Sequence, residues 1–156
     1  MATHGAAKAE LATARILVVD DSALARAIVG HGLKRAGIQV DEARSAAEAL
    51  ELLGAQSYDV VISDLCMPRF DDFALLATIK AQSPATEVII FSGLEDIDLA
   101  MQALKRGANA YLAKPPAHPE EVLLTVKRAL ETKRLRELCV QLQQQLGAQP
   151  RSRVAA

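Results

Sequence analysis

Tyr58-Asp59-Val60-Val61-Ile62-Ser63-Asp64 is the stretch whose reading decides the fold. Its apolar residues are β-branched and nearly continuous, where a strand with one wet face would alternate. Such a run is expected of a parallel strand covered on both faces. Arg15-Ile16-Leu17-Val18-Val19-Asp20 and Glu87-Val88-Ile89-Ile90-Phe91 read the same way. Weaker strands are expected from Gln39 to Ala43 and from Ala110 to Ala113.

Amphipathic segments with good end signals lie between these runs. The segment from Ser22 to Ala36 finishes on Lys34 and Arg35, followed by Gly37. Cationic charge in a last turn, then a residue free to turn left-handed, is how helices end. Ser45-Ala46-Ala47-Glu48 fits a capping box opening a helix that closes at Gly54. The segment from Asp71 to Gln82 stops before Pro84. Glu95, Asp96 and Asp98 crowd the start of the next helix, and Lys105, Arg106 and Gly107 finish it. A last helix starts near Pro119-Glu120-Glu121 and extends as far as Leu146. Five strands alternating with five helices on short connections predict an α/β fold. Its sheet is parallel and doubly wound, with right-handed crossovers.

Composition bounds the function. The chain has 156 residues, enough for one domain with a sizeable core. With 51% hydrophobic residues, 3% aromatics and no Trp, that core must be aliphatic. A formal net charge of −1 gives no global field pointing to nucleic acid or to a membrane. The two cysteines, Cys66 and Cys139, have no metal-ligand spacing around them, so a reduced, cytoplasmic compartment is expected. No stretch approaches the roughly 20 apolar residues of a spanning helix. The first residues lack the apolar centre of a signal peptide.

Ligands in open parallel sheets bind at the carboxyl ends of the strands. The first strand delivers Asp20 and Asp21 there, and the third delivers Asp64. Ser92, in Phe91-Ser92-Gly93, follows the fourth strand, and Lys114, in Lys114-Pro115, follows the fifth. Taken singly, each has a bland reading. Asp21 or Ser22 caps a helix, Ser92-Gly93 is a turn, and Cys66 is a small buried apolar side chain. Four strand ends carrying such groups together are hard to explain as turns. Three converging carboxylates repel one another, and a hard divalent cation relieves that. Oxygen-only ligands favour Mg²⁺, with Mn²⁺ as the alternative.

These residues carry a family pattern. Leu17-Val18-Val19-Asp20-Asp21-Ser22, Asp64-Leu65-Cys66-Met67-Pro68, Phe91-Ser92-Gly93 and the run Gly107 to Pro115 occur in order. In this the sequence resembles the receiver domains of two-component response regulators, over about residues 14 to 131. The resemblance implies a flavodoxin-like sheet with strand order 2-1-3-4-5. It implies that Asp64 accepts a phosphoryl group from a sensor histidine kinase. Asp20 and Asp21 would hold Mg²⁺, Asp21 directly and Asp20 partly through water. Asp64 and the backbone carbonyl of Cys66 would be further ligands. Ser92 would hydrogen-bond the phosphoryl group, Lys114 would pair with it across a cis Lys114-Pro115 bond, and Tyr111 would be the aromatic switch. The output face would be the fourth helix, fifth strand and fifth helix. The domain would be no enzyme beyond its own Mg²⁺-dependent phosphorylation and dephosphorylation. One departure is Asp72, where the family usually has Gly.

Two other functions compete. Phosphatases of the haloacid dehalogenase type use similar groups, but place the nucleophile on the first strand in an Asp-x-Asp pattern. A pseudo-receiver, kept only for protein contacts, would not need the complete set of site residues.

The organisation expected is a flexible tail over residues 1–13, a receiver domain over 14–131, a helical extension over 132–149 and a disordered tail over 150–156. Leu135, Leu138, Cys139, Leu142 and Leu146 form one stripe on the extension. That stripe pairs with its twin in a homodimer as a dimerising linker, begins a linker to a C-terminal effector domain, or folds back on its own domain. A separate output protein is a further route. The basic residues here read as a solvated helix face, with no direct nucleic-acid contact expected.

Overall fold

The computed structural model describes residues 2–67 and 73–148. Five parallel strands form one sheet: β1 (Arg15–Val19), β2 (Gln39–Ala43), β3 (Val60–Ser63), β4 (Glu87–Ser92) and β5 (Ala110–Ala113), in the order β2-β1-β3-β4-β5. This is the doubly wound architecture expected from the sequence pattern, with the strand order that the family resemblance implies. The helices among the described residues are α1 (Ala2–Thr13), α2 (Ala23–Arg35), α3 (Ala46–Ala55), α4 (Ala74–Gln82), α5 (Ile97–Lys105) and α6 (Glu120–Ala148). A 3-10 turn over Leu94–Asp96 leads into α5.

The two-residue period of the strands sorts the core into two layers. Leu17 and Val19 of β1 point to one face, where Ala49 of α3, Ile79 of α4 and Ala103 of α5 cover them. Ile16 and Val18 point to the other, under Val29 of α2 and Val126 of α6. Strands sandwiched in this way must be apolar on both faces, which is why their sequences do not alternate. Burying one such Ile or Val contributes about 1.5–3 kcal/mol.

Several end signals act as expected. Ser22 caps α2, its hydroxyl accepting from Ala25 N. Ser45 caps α3 through Glu48 N, 3.1 Å away. The returning Glu48 carboxylate accepts from Arg44 N rather than Ser45 N, one residue upstream of a standard box. Gly37 and Gly107 have φ of +84° and +109°, a left-handed backbone suited to glycine. Helix α3 runs past Gly54 to Ala55.

One expectation is corrected. Residues read as a loose tail form helix α1 over Ala2–Thr13. Alanine is the best helix former, and Leu11 packs against the layer beneath α2 and α6. The opening of the third inter-strand helix from Asp71, the Asp72 departure and the tail over 150–156 lie outside the described residues.

Candidate functional site

Strand register assembles the site. Val19 lies beside Ser63, so Asp20 and Asp64, which follow them, are neighbours at the carboxyl edge. Ser92 lies beside Ala113, so Lys114 follows next to it. Backbone bonds lock the strand ends: Asp64 N donates to Val19 O at 2.9 Å, and Lys114 N donates to Ser92 O at 3.0 Å.

Carboxylate oxygens of Asp20, Asp21 and Asp64 all lie within 4.8 Å of one another. Asp20 is fully buried and Asp64 nearly so, while Asp21 is exposed. Asp20 Oδ1 accepts from Ser22 N at 2.9 Å, which bends the chain into α2. Asp64 Oδ1 accepts from Cys66 N at 3.2 Å. Lys114 reaches in through a cis peptide to Pro115. Its Nζ is 2.6 Å from Asp20 Oδ2 and 3.5 Å from Asp64 Oδ2. The ammonium also sits 5.2 Å from the centre of the Phe91 ring.

The electrostatics follow from crowding. Burial raises the Asp64 pKa; the Cys66 N–H and Lys114 pull it back, and the Asp20 charge pushes it up again, leaving it above the ordinary value. Burial alone would lower the Lys114 pKa, but its bond to Asp20 and the charges of Asp64 and Asp20 outweigh that, and the net shift is upward. An all-oxygen donor set, two of its carboxylates out of water, fits a hard divalent cation such as Mg²⁺.

Ser92 is fully buried, and its Oγ has no hydrogen-bond partner among the described residues. Its carbonyl oxygen accepts twice, from Lys114 N and from the Tyr111 hydroxyl at 2.9 Å. Tyr111 is therefore half-buried with its hydroxyl engaged. Cys66 is exposed, which corrects its reading as a buried side chain. It stands in the loop past the end of β3, outside both packed layers. Arg26 carries no signal in the sequence as a site residue, yet its Nη1 donates to Asp20 O at 2.7 Å. It sits one turn beyond the Ser22 cap, facing back over the strand end.

The model of the response regulator receiver domain matches residues 16–127. The chain is 39% identical over 115 residues to the DNA-binding transcriptional regulator NtrC of Escherichia coli (strain K12), covering 74% of this chain and 24% of that protein. It is 37% identical over 120 residues to the C4-dicarboxylate transport transcriptional regulatory protein DctD of Rhizobium meliloti (strain 1021), covering 77% and 26%. The chain thus spans about a quarter of the length of these relatives. The crystal structure of the receiver domain of NtrX from Brucella abortus superposes with a TM-score of 0.71 at 35% identity, covering 75% of this chain and 98% of that one.

Proposed function

We propose, on the premise that this chain belongs to the response regulator receiver domain family, that Asp64 is its phosphoacceptor and that Asp20, Asp21, Asp64 and the Cys66 carbonyl hold the Mg²⁺ ion. The observation that carries this reading is the convergence of three carboxylates within 4.8 Å, with the Lys114 ammonium 3.5 Å from Asp64.

In this reading an Asp64 oxygen attacks the phosphorus of a phosphohistidine on a sensor kinase. The P–N bond breaks and an acyl phosphate forms. Such a transfer depends on positioning and charge stabilisation. When bound, the cation supplies positive charge against the phosphoryl oxygens, and Mn²⁺ serves in its place. Lys114 supplies a fixed positive charge on the other side. The Cys66 N–H orients one Asp64 oxygen, which leaves the other to react. Arg26 and Ser22 N fix the loop that carries Asp20 and Asp21.

Output begins at Ser92. Its hydroxyl, without a partner among the described residues, is free to donate to a phosphoryl oxygen, and turning toward it disturbs the carbonyl that holds Tyr111. The tyrosine ring then changes position on the face formed by α5, β5 and α6. This is the face expected from the sequence, renumbered by the extra N-terminal helix. A C-terminal effector domain, as befits relatives that are transcriptional regulators, or a separate output protein reads that face. The leucines of α6 serve a homodimer. Among the described residues no helix is long and apolar enough to cross a membrane.

Intact mass after incubation with acetyl phosphate and Mg²⁺ tests the proposal. Wild type gains one hydroxylamine-labile phosphoryl group, and Asp64→Asn gains none. A wild type that stays unmodified, or an Asp64→Asn variant modified equally, refutes it.

A further inference from the structure

The amino ends of β3 and β4 carry acids that the phosphoacceptor site does not use. Asp59 precedes β3 and Asp64 follows it; Glu87 opens β4 and Ser92 closes it. Each of these strands thus has a site residue at one end and an acid at the other, about 16 Å away at 3.3 Å per residue.

Glu87 is 1% exposed. A carboxylate out of water is costly unless paired. Its Oε1 accepts from Arg136 Nη1 of α6 at 2.9 Å, while Oε2 makes no hydrogen bond among the described residues. Lys80 adds positive charge nearby: burial lowers its pKa, the charge of Glu87 opposes that, and Arg136 adds to the lowering. Asp59 binds α6 as well. Its Oδ2 accepts from Arg15 N at 2.9 Å, and its Oδ1 lies 3.2 Å from Lys133 Nζ. On the same turn Arg134 lies 3.4 Å from Glu10 of α1. Three elements therefore grip one turn of α6, beyond the last residue of the family match. Past that turn, Leu138, Leu142 and Leu146 are 48%, 49% and 70% exposed.

We propose that Asp59 and Glu87 form a seat that locks Lys133 and Arg136 to the base of the sheet, so that β3 and β4 set the direction of α6 beyond Arg136. Apolar packing alone would hold the helix but leave its rotation loosely set. A guanidinium donating to a buried carboxylate accepts few orientations. The far half of α6 then moves as one body with the strands that end in Asp64 and Ser92. This latch does not depend on which residue accepts phosphate.

Hydrogen exchange of the full chain, read by mass spectrometry, tests it. Wild type, Arg136→Ala and Glu87→Gln are compared at several protein concentrations. In wild type the amides from 133 to 146 are protected at every concentration. Both variants speed exchange there several-fold, as expected when a half-exposed arginine loses its contact with a buried carboxylate, and leave the β1 and β3 amides unchanged. Alanine favours helix, so faster exchange in Arg136→Ala reports the lost seat. If Glu87→Gln unfolds the domain, its strand amides reveal that, and Arg136→Ala decides alone. Unprotected 133–146 amides in wild type overturn the proposal. So does unchanged exchange in Arg136→Ala, including protection that falls on dilution and thereby belongs to a second copy.

Discussion

Lys114 Nζ lies closer to Asp20 than to Asp64, at 2.6 Å against 3.5 Å. The lysine is thus first a counter-ion for a fully buried carboxylate, and only second a neighbour of Asp64. Lys114→Met leaves the Asp20 and Asp64 carboxylates facing each other without the ammonium that pairs with both. Removing one partner of a buried pair costs up to about 3–5 kcal/mol. Because the Lys114 side chain is 26% exposed, a loss of about 2–3 kcal/mol is expected in chelator. Millimolar Mg²⁺ should recover most of it. Thermal melts in both buffers check this, and a variant as stable as wild type in chelator refutes the counter-ion role.

Asp64 makes the opposite prediction. Its folded pKa is raised, chiefly by burial, so the native state holds its proton more readily than the unfolded chain. The stability this group contributes is greatest below the unfolded carboxyl value. It falls as pH rises toward the folded value and stays lower above it. Asp64→Asn should therefore stabilise the cation-free protein at neutral pH and raise its Tm. Mg²⁺ should narrow the gap by stabilising wild type. Calorimetry with and without Mg²⁺ measures both effects, and a lower Tm for the variant in chelator contradicts them.

Ser92→Ala separates stability from switching. Deleting a buried hydroxyl without a partner is neutral or stabilising by up to about 1 kcal/mol. The variant should still accept a phosphoryl group from acetyl phosphate. The Tyr111 resonance, followed with fluorinated tyrosine, should move on phosphorylation in wild type and stay in place in Ser92→Ala. Equal movement in both would detach Tyr111 from the Ser92 hydroxyl.

Tyr58 offers a test away from the site. Burial, with its hydrogen bond to Asp41 at 2.7 Å, pushes its pKa to about 12. In a Tyr111→Phe background the one remaining tyrosine should ionise at about 12 by ultraviolet titration. The unfolded chain gives up this proton near 10, so folding stability should fall between pH 10 and 12. Ionisation near 10 in the folded variant would show the Asp41 contact is not formed.

The site was legible because parallel sheets deliver chemistry at strand ends, and strands buried on both faces announce themselves as unbroken apolar runs. Asp20, Asp64, Ser92 and Lys114 could be placed on one sheet edge because each follows a strand, and the strand order came from the family resemblance. Helix α1 was only partly legible: its alanines favour helix, but an alanine-rich helix shows no apolar stripe, so the segment reads as a loose tail with some helix. The exposure of Cys66 depends on a loop path, not on residue type. Arg136 and Glu87 lie 49 residues apart, and only the finished fold reveals that an ordinary surface-type arginine covers a buried acid. Arg26 escaped for the same reason: its partner is a backbone carbonyl, and every residue has one.

The outermost strands bear on how copies of this chain associate. β2 and β5 are the edges of the sheet. β2 carries Asp41 and Glu42 within its five residues, and β5 has only four residues. Charged or very short borders resist extension by a further strand. Molecules crowded together at high expression should thus meet through helix faces, leaving each sheet closed to its neighbour and the protein resistant to fibril growth.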